Sequence, residues 1–185
     1  MGLAALVLGG STVALAFREG PLPNMAGGFG DQTCRVCHFD GPLNAPGGRV
    51  VLSAPAAYVP GKAYPITVTL TRKGIERGGF EIGARFTAGP ARGRQAGSWT
   101  APTDGRVQSV KSQQDASLIF LQHTTAGSTT RTPGTMAWTL QWTAPQTAGG
   151  PVQFNVAANA SNDDASPLGD HIYTTERVSR PGTAR

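Results

Sequence analysis

Cysteine is nearly absent from this chain of 185 residues, which has only two, Cys34 and Cys37. A structural zinc site needs four ligands, and an iron–sulfur cluster normally needs four cysteines, so neither is expected here. A thioredoxin-type C-x-x-C motif belongs to a βαβ setting, which the sequence does not indicate. The two cysteines therefore leave three interpretations: covalent attachment of a prosthetic group, a local disulfide or a free pair of thiols.

Long apolar runs are also missing. A membrane-spanning helix needs about 20 apolar residues, and the longest uncharged stretch near the start is GLAALVLGGSTVALA, which follows Met1. Its length fits a signal-peptide core and Ala14-Leu15-Ala16 has the form of a cleavage site, although no basic residues precede it. We predict that residues 1–16 are a signal peptide or a short retained membrane anchor. The chain is then expected in the periplasm or another extracytoplasmic compartment of a bacterium.

Enzyme signatures are absent as well. The chain has no G-x-S-x-G, no P-loop and no paired-carboxylate arrangement, and only three histidines are available for acid–base work. We therefore expect an electron carrier or a binding protein rather than a catalyst.

Charged residues make up only 15% of the chain, and the net charge is +5. Part of the positive charge is concentrated between positions 72 and 94. This basic strip is either a solvated face or a docking face for an acidic redox partner or an anionic membrane. Nucleic acid is not expected, because no recognition motif accompanies the charge. The strip consists of Arg72, Lys73, Arg77, Arg85, Arg92 and Arg94.

Glycine (25) and proline (14) are abundant, and from residue 49 apolar residues alternate with polar ones. This period of two is typical of strands with one buried face. It predicts an all-β antiparallel sandwich over residues 49–178, with a flexible tail at 179–185. The clearest strands are YPITVTLTR, GFEIGARF, MAWTLQW and VQFNVAA, and further ones lie near residues 50, 108, 119 and 174.

The two cysteines belong to the pentapeptide Cys34-Arg-Val-Cys37-His38, inside the Gly/Pro-rich segment 17–48. C-x-x-C-H is the attachment signature of c-type haem. Both thiols bond the vinyl groups on one porphyrin edge, while the histidine ligates the iron. We predict one covalent haem c, with Cys34 and Cys37 as thioethers and His38 as proximal ligand. Because FDGPLNAPGG cannot extend a helix, the haem is expected on an exposed loop at the flank of the sandwich.

The second axial ligand has four candidates. His123 is favoured, because it lies where a predicted strand gives way to a polar loop in LQHTTAGS. Met25 and His171 are less favoured, and Met136 shares the apolar face of a strand and is expected in the core. An open coordination position, as in a haem-based sensor of small ligands, remains an alternative.

The segment ANASNDDASPLGDH is rich in side-chain oxygens of the kind that Ca²⁺ binds. Its spacing fits no EF-hand, and such runs are also ordinary turn chemistry. The candidate calcium ligands are Asn159, Asn162, Asp163, Asp164 and Asp170.

Several segments of residues 33–178 resemble the Reeler (reelin-like) β-sandwich of bacterial exported proteins. They include YVPGKAYPITVTLTRKG, GGFEIGARF, FLQHTTAG, the NVAANASNDD stretch and GDHIYT. Some of those proteins carry a C-x-x-C-H-like segment before the sandwich. The resemblance implies an immunoglobulin-like fold with two sheets. It supports His123, which lies in a segment similar to a family motif, over His171, where relatives have an aromatic residue.

Two classes of function follow from these observations. The first is an exported monohaem c-type cytochrome-like protein that transfers single electrons, as a free carrier or as a subunit of a membrane redox complex. The alternative is a haem-free adhesion or ligand-binding sandwich with a structural Cys34–Cys37 disulfide.

Overall fold

A computed structural model describes residues 17–182 of the chain, so the predicted signal peptide or anchor at 1–16 lies outside the described residues. The described part begins with a Gly/Pro-rich segment that contains one 3₁₀ turn, Cys34–Val36. Ten strands follow: β1 (Gly48–Ser53), β2 (Ala57–Tyr58), β3 (Ala63–Arg72), β4 (Arg77–Phe86), β5 (Ser98–Thr100), β6 (Val107–Lys111), β7 (Ile119–His123), β8 (Thr135–Thr143), β9 (Val152–Ser161) and β10 (His171–Pro181). No helix within 17–182 is long and apolar enough to cross a membrane.

The strands form two sheets, with the orders β1-β3-β8-β5 and β2-β10-β9-β4-β7-β6. The predicted all-β sandwich is therefore confirmed. One pair departs from the antiparallel pattern, because β2 runs parallel to the end of β10, with Arg180 opposite Ala57. This difference arises because β2 is a two-residue segment added to the sheet edge and is not the return strand of a hairpin.

The alternating residues of the predicted strands fill the space between the sheets. Ile66 and Val68 of β3 are fully buried and lie opposite Leu140 and Trp138 of β8. Such cross-strand neighbours share one face of a sheet, so the period of two in the sequence identifies this half of the core correctly. Aromatic rings connect the two sheets, as in the edge-to-face pair of Trp142 and Phe154, whose centroids are 4.9 Å apart.

The end of the chain corrects one prediction. Residues 179–181, expected in a flexible tail, continue strand β10, and Ser179 is fully buried opposite Val152 of β9. Backbone pairing on both sides of this end, with β9 and with β2, holds it in the sheet.

Strand β4 is buried on both faces, although its sequence alternates like a half-exposed strand. Its outward residues are covered by the segment 17–45, which lies across the outer face of the six-stranded sheet. The Met25 N–H donates to Glu81 Oε1 over 2.6 Å, and Asp31 pairs with Arg85. The segment expected to form a separate attachment loop is therefore a third layer over the sandwich.

Candidate functional site

The C-x-x-C-H pentapeptide forms a single tight turn. The Thr33 hydroxyl accepts a hydrogen bond from the Arg35 N–H and caps the 3₁₀ turn. The N–H groups of Cys37 and His38 both donate to the Cys34 carbonyl, over 3.3 and 3.1 Å. Residues three and four apart lie on the same face of such a turn, so both cysteines and the histidine face one cleft.

The cleft lies between this turn and the outer face of the six-stranded sheet. The cleft is open to solvent, and its empty volume is about 710 Å³ when that open space is included. Its lining is mainly apolar and includes Phe17, Pro21, Leu22, Gly78 and Gly79. The structure also brings five predicted site residues to this cleft: Met25, Cys34, Cys37, His38 and His123.

Asp170 and Asn159 contact the His38 imidazole at its Nδ1 atom. Its Nδ1 lies 2.7 Å from Asp170 Oδ2, and the Asn159 amide nitrogen lies 3.3 Å from the same ring atom. Only 14% of the His38 side chain and 1% of the Asp170 side chain are exposed. The motif therefore lies in a turn against the flank of the sandwich, where the outer sheet face and the β9–β10 hairpin cover Cys34 and His38, while Arg35 and Val36 stay exposed.

Two opposing effects act on Asp170. Burial raises the pKa of its carboxyl, but hydrogen bonds from His38 and Asn159 outweigh that effect and lower the pKa below its usual value. Asp170 is therefore an ionised carboxylate at neutral pH. Sequence analysis identified it only as a candidate calcium ligand, because nothing local connects it with His38.

His123 is fixed rather than extended from a flexible loop. It is the last residue of β7, is 7% exposed, and its Nδ1 lies 3.1 Å from the Phe80 N and 3.3 Å from the Phe80 O. A Cβ at Gly79 would collide with its ring, so glycine is required there. Burial is the main cause that lowers the pKa of His123 to about 4, and the nearby His38 contributes. The ring is therefore neutral at physiological pH, the form that ligates a metal.

Cys34 is buried against Ala157 and Ile172. Burial, with a smaller contribution from the charge of Glu81, raises the pKa of its thiol to about 12. Attacking cysteines in thiol–disulfide exchange need a lowered thiol pKa, so Cys34 does not fit that role. A thioether has no ionisable proton, and its burial carries no such penalty. Cys34 and Cys37 are both free thiols in the structure, without the disulfide that the haem-free alternative invoked.

Glu81 lies beside the cleft and was not identified from the sequence. It is fully buried on the outer face of β4, and its pKa is raised to about 8, primarily by burial. The Met25 N–H hydrogen bond works against this shift, whereas the charge of Asp31 adds to it. A single glutamate in an alternating strand predicts a solvent-facing position, because the covering layer cannot be read from local sequence.

The other two candidate axial ligands lie elsewhere. Met136 is 2% exposed in the core, as predicted from its strand position. His171 Nε2 lies 2.8 Å from the Arg72 guanidinium, and burial together with the Arg72 charge lowers the pKa of His171. Neither residue lines the cleft.

Two carboxylates of the candidate calcium loop, those of Asp163 and Asp170, are already engaged by protein side chains. Asp163 accepts hydrogen bonds from the Arg77 guanidinium, with the Nε–Oδ1 distance at 2.7 Å, and Arg18 lies 3.1 Å away. The hydrogen bond from Arg77 lowers the pKa of Asp163. Asp170 is engaged by His38. Among residues 17–182, no three or more His, Cys, Asp or Glu side chains are grouped to hold a metal ion.

The basic strip is not a continuous surface. Arg72 donates to the Tyr173 hydroxyl, Arg77 pairs with Asp163, and Arg85 is buried between two aromatic rings. Three of the six basic residues are thus used inside the fold. Those that remain exposed are Lys73, Arg92 and Arg94.

Exposed apolar side chains are concentrated instead in the covering segment 17–45, of which Phe17 and Leu22 line the cleft. Five large ones, each 41–57% exposed, belong to the covering segment. Elsewhere in the described residues only Val51 and Leu168 are comparable. The five are Phe17, Leu22, Val36, Phe39 and Leu43.

The fold and site together define a two-sheet β-sandwich that carries a C-x-x-C-H turn over an apolar cleft on its outer face.

No family model and no curated protein matches the sequence. The chain is similar to the solved reeler domain of human F-spondin, at 16% identity over 80% of this chain and 91% of that one, with a TM-score of 0.40. It is also similar to a cohesin module from a Clostridium perfringens family 33 glycoside hydrolase (9% identity, 73% of this chain, 98% of that one, TM-score 0.42). A third similar structure is the class 5 fimbriae chaperone CfaA (12% identity, 74% of this chain, 58% of that one, TM-score 0.35). At these identities and TM-scores the likenesses carry no conclusion about function.

Proposed function

We propose that this chain is an exported, Reeler-like bacterial protein that holds one covalent haem c and transfers single electrons. It acts as a free carrier or as a subunit of a membrane redox complex, outside the cytoplasm. The observation that supports the proposal most strongly is the meeting of Cys34, Cys37, His38 and His123 at one apolar cleft.

Each residue has a defined role in the proposal. The thiols of Cys34 and Cys37 would hold the haem as thioethers, each S–H adding across one vinyl group so that nothing leaves. His38 is engaged through Nδ1 by Asp170, and its Nε2, which lies 3.4 Å from the Asn159 amide nitrogen, would be the proximal ligand. The Nδ1 of His123 lies 3.3 Å from the Phe80 carbonyl oxygen, and in the tautomer that donates to this oxygen Nε2 is free and would be the distal ligand. Once bound, the haem supplies the one-electron chemistry.

The surroundings of the cleft suit this role. Phe17, Pro21 and Leu22 give it an apolar wall, and a low-polarity environment is one of the means by which proteins set a haem potential. An electron partner has to approach the cleft, so we assign contact with a redox partner protein to the exposed apolar side chains around it. Electron-transfer contacts are typically small, below about 1,200 Å².

The first test replaces the two cysteines. Cys34→Ala/Cys37→Ala, produced in a bacterium with haem-attachment machinery, should lose all covalent haem on a denaturing gel. Its far-UV circular dichroism should remain that of a folded β-protein, and Met25→Leu should keep the covalent haem as a matched cleft control. Covalent haem in the double variant would contradict the proposal. Collapse of the sandwich would favour a structural role for the cysteines and the haem-free alternative.

The second test concerns the distal ligand. His123→Ala should keep the covalent haem but lose the low-spin absorption spectrum, because the iron loses one of its two nitrogen donors. Met25→Leu should leave that spectrum unchanged. The reverse pattern would assign the distal position to Met25, and an unchanged spectrum in both variants would remove both residues from consideration.

A further inference from the structure

We propose that Asp170 is a positioning residue for His38, whose carboxylate fixes the ring through Nδ1 and sets the reduction potential of the site. This inference rests on the proposed haem function and adds a residue that the attachment signature does not contain. The observation that supports it is that Oδ2 of the buried Asp170 carboxylate lies 2.7 Å from Nδ1 of the His38 imidazole.

The carboxylate is held rigidly. Asp170 immediately precedes β10, and its side chain is 1% exposed. Its Oδ2 accepts a hydrogen bond of 3.0 Å from the Asn159 amide of β9, and its Oδ1 accepts one of 3.3 Å from the Asn162 N–H. Two neighbouring strands and their connecting loop therefore fix the position of the group that faces His38.

The fold alone does not explain a charge at this position. A buried carboxylate is costly unless it is well bonded, and the two bonds from Asn159 and Asn162 come from neutral donors. The nearby basic side chains are otherwise engaged, since Arg77 pairs with Asp163 and Arg72 with Tyr173. His38 is the one titratable side chain hydrogen-bonded to Asp170 among the described residues.

The chemical consequence follows from how carboxylates act on metal-binding histidines. A carboxylate that accepts the Nδ1 proton fixes the tautomer and ring orientation and raises the basicity of Nε2. A more basic ligand and a nearby negative charge both stabilise the oxidised, more positive iron. Asp170 therefore favours the oxidised state of the site, and Asn159 keeps the carboxylate aligned.

The test compares Asp170→Asn with Asp164→Asn in the full-length haem-loaded protein. Both changes remove one negative charge from the same loop, but Asp164 bonds only to Asn162 and Ser166. At a fixed applied potential, Asp170→Asn should shift the ratio of reduced to oxidised protein roughly tenfold or more toward the reduced form, a size typical of outer-shell changes. Asp164→Asn should match the wild type. Equal behaviour of the two variants would overturn the proposal.

Additional measurements separate folding and haem loading from the positioning role. If Asp170→Asn does not fold, Asp170→Ser, which keeps one acceptor oxygen and carries no charge, should give the same shift. A wild-type protein without covalent haem would refute the proposed function but not the positioning role. In that case, nitrogen NMR of the haem-free full-length chain should place the neutral His38 proton on Nδ1 in the wild type and move it in Asp170→Ala. An unchanged tautomer would overturn the positioning role.

Discussion

At the scale of single residues, the site combines groups whose burial decides their protonation. Glu81, with its pKa raised to about 8, and His123, with its pKa lowered to about 4, are both neutral around pH 7. Each therefore avoids the cost of burying a charge. Their effects on stability oppose each other, because the folded state binds a proton more tightly at Glu81 and less tightly at His123.

The contribution of Glu81 to the free energy of unfolding can be measured separately from that of His123 above pH 6.5. In this range the folded chain retains the Glu81 proton and the unfolded chain does not, so the free energy of unfolding should fall as the pH rises toward 8, by at most about 1.4 kcal/mol per pH unit. Between roughly pH 4.5 and 6.5 the opposite contribution of His123, whose unfolded pKa is 6.5, offsets it.

Urea unfolding of the haem-free protein at pH 6.5 and pH 8 checks this expectation. Glu81→Gln should remove the decrease in the free energy of unfolding, whereas Glu76→Gln, at an exposed position, should leave it in place. The same decrease in wild type and Glu81→Gln would mean that another group is responsible.

At the scale of elements, strand β4 shapes both the core and the cleft. Phe80 and Ile82 face inward and are fully buried, while Gly79 and Glu81 face the covering layer. The alternation of β4 is visible in the sequence, and so are most of the strands. Strands β2 and β5, with two and three residues, are too short to show a period. The covering of β4 cannot be predicted locally, because it depends on where a Gly/Pro-rich segment packs.

The glycine at position 79 provides a test at this scale. Gly79→Ala should force the His123 ring away from β4 and lower the free energy of unfolding by about 1–3 kcal/mol, as overpacking of a buried site does. In the haem-loaded protein the same change should disturb the low-spin spectrum. Gly41→Ala is the matched control, because a Cβ there makes only ordinary contacts of 3.7 Å. Equal stability of the two variants would show that His123 is not confined by β4.

At the scale of the whole molecule, the site is assembled from parts that are distant in sequence. The C-x-x-C-H signature identifies Cys34, Cys37 and His38 by spacing alone, and the end of β7 indicates His123. Asp170 could not be connected with His38 in this way, because their contact depends on the fold of the covering segment and on the β9–β10 register. The burial of Arg85, a member of the basic strip, could not be predicted for the same reason, since it pairs with Asp31 beneath that segment.

The central claim is that the chain carries one covalent haem at this cleft. The most direct measurement is the intact mass and visible spectrum of the full-length gene product, isolated from the periplasmic or membrane fraction of its native cells. The account predicts a mass raised by one haem, a Soret band, and a c-type α-band after reduction. A bare polypeptide mass, or one lower by only two hydrogens, would contradict it and leave a haem-free β-sandwich.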